Sequence, residues 1–485
     1  MNRNAGRGFM KSVDWALIIT YLVLILIGWM NIYASVHSSE PTSIFDWSCR
    51  SGKQFVWILS SLGLAALILF VFNPRLYEGI SLPIYLGVLL LLVAVIFLGV
   101  EVKGSRSWFE FGPIRFQPAE ISKISTSLML AAFMSRQGYK ITDIRDFIIT
   151  ALIIAVPMLT IIGQSETGSA LVYVGFIFTL YREGLPGWWL VALGMTILLF
   201  ILTLVQSSYV ALLVLLGVIT FLNCLNSGQF KKWIFLYLPA IIFCAFVPMI
   251  YEHLTEGLEE GAFLLKVKPF YILLGVTVAL LPVFLWKGFR HRNFFMNMSV
   301  LSVLAGIFLI FSTDFVFNEI LQDHQRKRIE VLLGMKEDPM GVGYNVNQSM
   351  IAIGSGGLTG KGYLGGTQTT FGFVPEQSTD FIFCTIGEEW GFLGTLGVIL
   401  LYVFLIWRII SDAEKSRENF TRIYGYCVAC CIFMHLFINI GMTIGLMPVI
   451  GIPLPFISYG GSSLWAFTIL LFIFIALDRN DKKYF

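Results

Sequence analysis

Residues 375–394 read PEQSTDFIFCTIGEEWGFLG, an apolar run with Glu376 and Asp380 at its threshold and Glu388 and Glu389 inside it. In a water-soluble domain such acids would face solvent. The rest of the chain removes that option: 57% of the 485 residues are hydrophobic and 13% are charged, far more apolar side chain than one soluble core takes up. A transmembrane helix needs about 20 apolar residues and a transmembrane strand about 10 alternating ones, and the long unbroken runs fit only helices. The stretch therefore opens a membrane helix, and its carboxylates need a reason to be there.

Working outward, fourteen such helices are expected, starting near Val13, Phe55, Ile80, Ile121, Phe147, Ala170, Trp188, Tyr209, Trp233, Phe270, Met298, Phe381, Tyr424 and Phe456. The first run is longer than a secretory h-region and shows no small-residue cleavage site, so it is expected to stay as a span. With the N-terminus inside, 20 of the 33 Lys and Arg residues fall in inside segments, twelve fall outside, and Lys123 lies in a helix. That bias places both termini in the cytoplasm. The expected fold class is an all-α polytopic membrane protein, one integral membrane domain over residues 1–485, with one long extracytoplasmic loop at residues 318–379. The net charge of +3 is uninformative, and no nucleic-acid partner is expected. Of the seven cysteines only Cys49 lies outside, so no disulfide framework is suggested, and Cys427, Cys430 and Cys431 lack His or carboxylate partners at metal spacing.

The outside segments carry the candidate chemistry. The long loop is rich in glycine, as in AIGSGGLTGKGYLGGTQT (352–369), yet no Ser or Thr follows Lys361 at Walker spacing, so a lid over a site is expected rather than a nucleotide cradle. Residues 101–118, EVKGSRSWFEFGPIRFQP, interleave Lys103, Arg106 and Arg115 with Trp108, Phe109, Phe111 and Phe116. Cations among rings at an interface suit a lipid-linked phosphate and equally suit a plain aromatic belt. Glu120 and Lys123, three apart, share a helix face and can neutralise each other, as a structural pair or as part of a polar cavity. Glu166 is expected at the same depth, where it could join them. Asp380 is either a helix N-cap or a group pointing into that cavity, with Ser378 or Thr379 then supplying the cap. Glu388 and Glu389, deeper in the helix, are expected to be structural acids.

These residues carry a resemblance. KGSRSW (103–108), RFQPAEISK (115–123), DPMGVGY (338–344), SGGLTGKG (355–362), PEQSTDFIF (375–383), GEEWG (387–391) and PLPFISYGGS (453–462) resemble, in order and spacing, the SEDS (shape, elongation, division and sporulation) family of peptidoglycan glycosyltransferases. The GTQ at 366–368 is similar to the elongation branch rather than the division branch. The resemblance implies a SEDS-type helical bundle that polymerises lipid II into β-1,4-linked glycan on the outer face of the bacterial cytoplasmic membrane, releasing undecaprenyl pyrophosphate. It implies Asp380 as general base toward the acceptor hydroxyl, Arg115 and Lys123 at the pyrophosphate, Glu120 orienting Lys123, Arg106 among the substrate- and pyrophosphate-binding residues, and Trp108 shaping the substrate entrance. Glu166, Glu376 and Ser458 would support the cavity. It implies a class B penicillin-binding protein as partner alongside lipid II and membrane lipid. It names no certain cofactor and leaves a divalent cation open. Two departures stand out: QSETG (164–168) replaces the family's Gln-Pro-Asp-Leu-Gly, and about four helices within residues 188–317 exceed the usual ten. Intramembrane charges and broken apolar motifs also describe a flippase for the same lipid, and a scaffold that recruits a transpeptidase is a third reading.

Overall fold

The computed structural model describes residues 13–37, 43–102, 105–112, 114–255, 268–321, 323–335, 341 and 343–483; Lys103 and Asp338, quoted above, lie outside them. It divides into two compact units, Met1–Pro186 with Glu337–Phe485, and Gly187–Lys336. In chain order the first unit opens with α1 (Trp15–Val36), α2 (Arg50–Phe70) and α3 (Leu76–Leu98). A small antiparallel sheet follows, β1 (Val100–Val102), β2 (Ser105–Phe111) and β3 (Ile114–Phe116), and then α4 (Pro118–Met134), α5 (Ile144–Gly163), α6 (Thr167–Val172) and α7 (Phe176–Arg182). The second unit holds α8 (Trp188–Val205), α9 (Ser208–Asn226), α10 (Phe230–Thr255), α11 (Pro269–Arg290), α12 (Phe294–Phe315) and α13 (Asp323–Leu332). The first unit resumes with α14 (Tyr344–Ser355), α15 (Thr367–Thr370), α16 (Ile382–Lys415), α17 (Asn419–Thr443) and α18 (Gly461–Lys483).

Among the described residues, twelve helices are long and apolar enough to cross a membrane: α1, α2, α3, α5, α8 to α12, and α16 to α18. The other two expected spans take different forms. α4 has 17 residues, opened by Pro118 in the first turn, where a missing N–H costs nothing. The sixth is split by a 3₁₀ turn at Tyr173–Gly175 into α6 and α7. Gly175 lies so close to α17 that a Cβ there would stand 2.3 Å from Met434 Cγ. Expected starts also shift, as at the last helix: it begins at Gly461, not near Phe456, the residues after Pro453 and Pro455 forming a loop.

Within the first unit, α4 packs against α3, α5, α17 and α18. α17 and α18 are its inner helices, with 78% of each apolar window buried against 28–44% for α1, α2, α3, α5 and α16. The apolar side chains left on the outer helices face lipid, which accounts for exposed Leu90, Phe97 and Trp407. The second unit is built around Leu199, Leu212, Leu215 and Ile310, with Leu281, Val300 and Val303 as a further cluster.

α16 has 34 residues, roughly 51 Å of helix, well beyond a hydrocarbon core of about 30 Å. It is broken at Gly391 (φ 64°, ψ −160°). The two helical bonds lost there, from Phe392 and Leu393 to the carbonyls of Glu388 and Glu389, are replaced one for one by the glycine-rich loop. Lys361 N donates to Glu388 O and Gly362 N to Glu389 O, both at 3.0 Å, while Phe392 N donates to Gly357 O at 2.9 Å and Leu393 N to Leu358 O at 3.1 Å. Backbone polar groups at membrane depth need such partners. Close approach is why glycines stand here: a Cβ on Gly360 would lie 2.1 Å from Glu389 O, and one on Gly356 2.0 Å from Gly387 O.

Candidate active site

Glu388 and Glu389 secure that loop. Glu388, fully buried, accepts from Lys361 Nζ at 2.7 Å, from Gln368 N, Thr369 N and Thr369 Oγ1 at 2.9 Å each, and from Thr367 Oγ1 at 3.3 Å. Glu389 Oε1 accepts from Leu364 N at 3.1 Å. The two deep acids are therefore anchors for the loop that covers α16.

Just before α16 the chain makes a turn closed by Glu376. Its φ of +53° lies in the left-handed region that favours glycine, its carbonyl accepts from Thr379 N and Phe381 N at 3.2 Å each, and its carboxylate accepts from Thr379 Oγ1 at 3.1 Å. A non-glycine residue held there is a strained backbone position. The N-cap of α16 is Phe381, with no side-chain cap bond, so Asp380, Ser378 and Thr379 are not caps. Instead, three successive carbonyls of this segment are held from elsewhere in the fold. Tyr459 N donates to Ser378 O at 2.8 Å, Ser458 Oγ to Thr379 O at 2.6 Å, and Asn439 Nδ2 to Asp380 O at 2.8 Å. Ser458 Oγ also accepts from Leu454 N at 2.8 Å. The Asp380 carboxylate stands over Gly451, where an added Cβ would come within 3.3 Å of Oδ2. Arg50, at the start of α2, donates to Ser378 Oγ at 2.5 Å and lies 5.8 Å from the centroid of the Tyr459 ring. Burial pushes the Tyr459 phenol above its ordinary value, with the Arg50 charge opposing.

Glu120 and Lys123 form the expected pair, 2.9 Å apart and both buried, with Lys123 only 2% exposed. Lys123 Nζ also donates to His435 Nε2 at 2.8 Å, and stands 5.0 Å from the centre of the Phe467 ring. His435 Nδ1 lies 3.1 Å from Pro453 O. A carbonyl only accepts, so Nδ1 carries the proton and Nε2 is left to accept from the lysine. Arg106 and Arg115 are on the exposed hairpin, paired with Glu101 at 3.5 Å and Glu110 at 3.2 Å, and Trp108 is half-buried on β2. Glu166 does not join Lys123, whose ammonium is taken up by Glu120 and His435. It accepts from Gln117 Nε2 at 3.0 Å and Ser107 Oγ at 3.3 Å, tying the start of α6 to the hairpin. Among the described residues no group of three or more His, Cys, Asp or Glu is placed to hold a metal ion.

Arg50, His435 and Asn439 were not among the expected site residues. The signal for the last two was present: polar side chains four apart in the apolar run CCIFMHLFINIGMT (430–443) share one helix face.

The family model for cell cycle proteins of the FtsW, RodA and SpoVE type matches residues 14–233 and 265–483. The peptidoglycan glycosyltransferase MrdB of Escherichia coli K12 is 30% identical over 392 residues, 81% of this chain and 75% of the relative. The peptidoglycan glycosyltransferase RodA of Treponema pallidum is 30% identical over 473 residues, 97% and 98% of the two chains. Two solved structures share the fold. A chain of a peptidoglycan synthase complex gives a TM-score of 0.59 at 24% identity, covering 97% of this chain and 98% of its own. The rod shape determining protein RodA of Thermus thermophilus gives 0.53 at 22%, covering 97% of each. Motifs, helical bundle and a family match over nearly the whole length agree: the chain belongs to the SEDS family of FtsW, RodA and SpoVE cell cycle proteins.

Proposed function

We propose that this protein is a peptidoglycan glycosyltransferase of the elongation type, polymerising lipid II with Asp380 as general base. The observation that carries the base assignment is a carboxylate that caps no helix and sits on a segment fixed by three successive carbonyl bonds. Asp380 takes the proton of the acceptor 4-hydroxyl as its oxygen attacks the donor's anomeric carbon. The bond from that carbon to the pyrophosphate oxygen breaks, and its electron pair leaves with undecaprenyl pyrophosphate. Charge developing on the leaving group is met by the exposed guanidinium groups of Arg115 and Arg106 beside Trp108. Lys123, enclosed by Glu120 and His435, acts in this conformation through its charge and through Pro453 rather than by contact.

The reaction is placed on the outer face of the cytoplasmic membrane with both termini inside, following the Lys and Arg bias. A cysteine introduced at Ser227, exposed after α9, is then expected to react with a membrane-impermeant reagent only from the inner side; labelling from outside would reverse the orientation of the second unit.

A class B penicillin-binding protein is proposed to dock on residues 318–379, since tethering two enzymes raises the effective concentration of one at the other's product. Purified protein in detergent, with no bilayer to cross, is expected to lengthen glycan from lipid II, and faster with the cognate transpeptidase even when its crosslinking nucleophile is removed. No glycan under any condition would turn the reading toward a transporter or a scaffold. Equal rates with and without the partner would leave it a downstream enzyme.

A further inference from the structure

We propose that Asn439 is a positioning residue for the general base: it locks the backbone of Asp380 to the loop on which the carboxylate rests. The inference depends on the assignment of Asp380 as base and asks what sets its position.

Asn439 is fully buried in α17, 59 residues from Asp380 in sequence. Its one amide nitrogen donates twice, to Asp380 O at 2.8 Å and to Ile452 O at 2.7 Å. Both hydrogens are thereby used, and each holds a different side of the site. Ile452 follows Gly451, whose backbone is the surface beneath Asp380 Oδ2, and Gly451 itself holds φ +75°. Asn439 therefore sets the distance between the residue that carries the carboxylate and the loop that supports it. One turn earlier on the same face, His435 holds Pro453 O and accepts from Lys123. Ile452 and Pro453 are thus gripped from a single helix, with the acid on one side and the buried lysine on the other.

Asp380 precedes a buried helix start whose N-cap, Phe381, makes no side-chain cap bond, and without Asn439 the Asp380 carbonyl loses its one side-chain donor among the hydrogen bonds described. Asn439 touches no carboxylate oxygen and acts through the backbone. Its loss is accordingly expected to move the base rather than to remove it, and a displacement of about 1 Å in a reacting group costs roughly 10²-fold in turnover.

The test is lipid II polymerisation by the full chain, comparing wild type, Asp380→Asn, Asn439→Ala, and Asp380→Asn combined with Asn439→Ala. Asn439→Ala is expected to lower kcat by about 10- to 10²-fold with KM within about 2-fold, because an interaction felt in the transition state is lost. The double variant is expected to be no slower than Asp380→Asn, since a misplaced base and an absent one fail at the same step. Asn439→Ser, which keeps one donor, is expected to recover part of kcat, and it serves in place of the alanine variant if that does not fold. Wild-type kcat in Asn439→Ala or Asn439→Ser while Asp380→Asn is inactive would overturn the positioning role alone. So would losses that multiply in the double variant, or a loss that appears only in KM. Full turnover by Asp380→Asn would overturn the base assignment, and the inference with it.

Discussion

Asp380→Asn is expected to lower polymerisation at least ~10²-fold while the protein inserts, folds and binds its substrate as before. Asparagine matches the size of aspartate, and the group that Asn439 holds is the backbone carbonyl of residue 380, so that bond survives the change. The negative charge and the capacity to take a proton are lost. Helix initiation is not at risk either, because the α16 cap is Phe381 and uses no side chain. Any loss therefore reports chemistry rather than folding. Lipid II turnover by the purified variant is the measurement, and wild-type turnover would leave Asp380 without a role in proton transfer.

The second large effect is on stability. Lys123→Ala removes the cation from a site where Glu120 and His435 both depend on it, leaving a buried carboxylate 3% exposed and an imidazole acceptor without a donor. Breaking a buried pair from one side costs about 3–5 kcal/mol, because the remaining charge is uncompensated. Arg115→Ala is the contrast. The Arg115 side chain is 58% exposed and its pair with Glu110 is worth at most ~1 kcal/mol, so its loss is expected to cut turnover with little change in thermal unfolding. Replacing both members, Lys123→Met with Glu120→Gln, is expected to recover much of the stability lost in Lys123→Ala, since no charge is then stranded. Activity is expected to stay low in both. Equal unfolding temperatures for wild type and Lys123→Ala in detergent would show that the ammonium neutralises nothing that matters.

The two substitutions also separate what was legible in the chain from what was not. The Glu120–Lys123 contact is local: residues three apart on a helix meet whatever else the protein does, so their pairing could be read directly. His435 is 312 residues away from Lys123, and nothing in its own neighbourhood announces the lysine. Glu166 shows the same limit in reverse. It was expected at the depth of the pair, where it could join them, yet its partners are Ser107 and Gln117, because the β2–β3 hairpin folds over the start of α6.

By itself, then, the sequence determined the solvent, the helical class, nearly all the span positions and the family. Each of these is written in local composition, in runs of apolar residues set against a fixed membrane thickness, or in short ordered motifs. Tertiary structure alone decided which groups complete the site. The break at Gly391, read as an uninterrupted helix, exists because the backbone of residues 357–362 supplies the hydrogen bonds that the helix gives up. The segment that carries Asp380 is fixed in place because Asn439, Ser458 and Tyr459 bind the backbone carbonyls of Asp380, Thr379 and Ser378 from α17 and the loop before α18. Inside a membrane backbone polar groups need partners, and which partner each finds depends on how helices distant in sequence come to lie side by side.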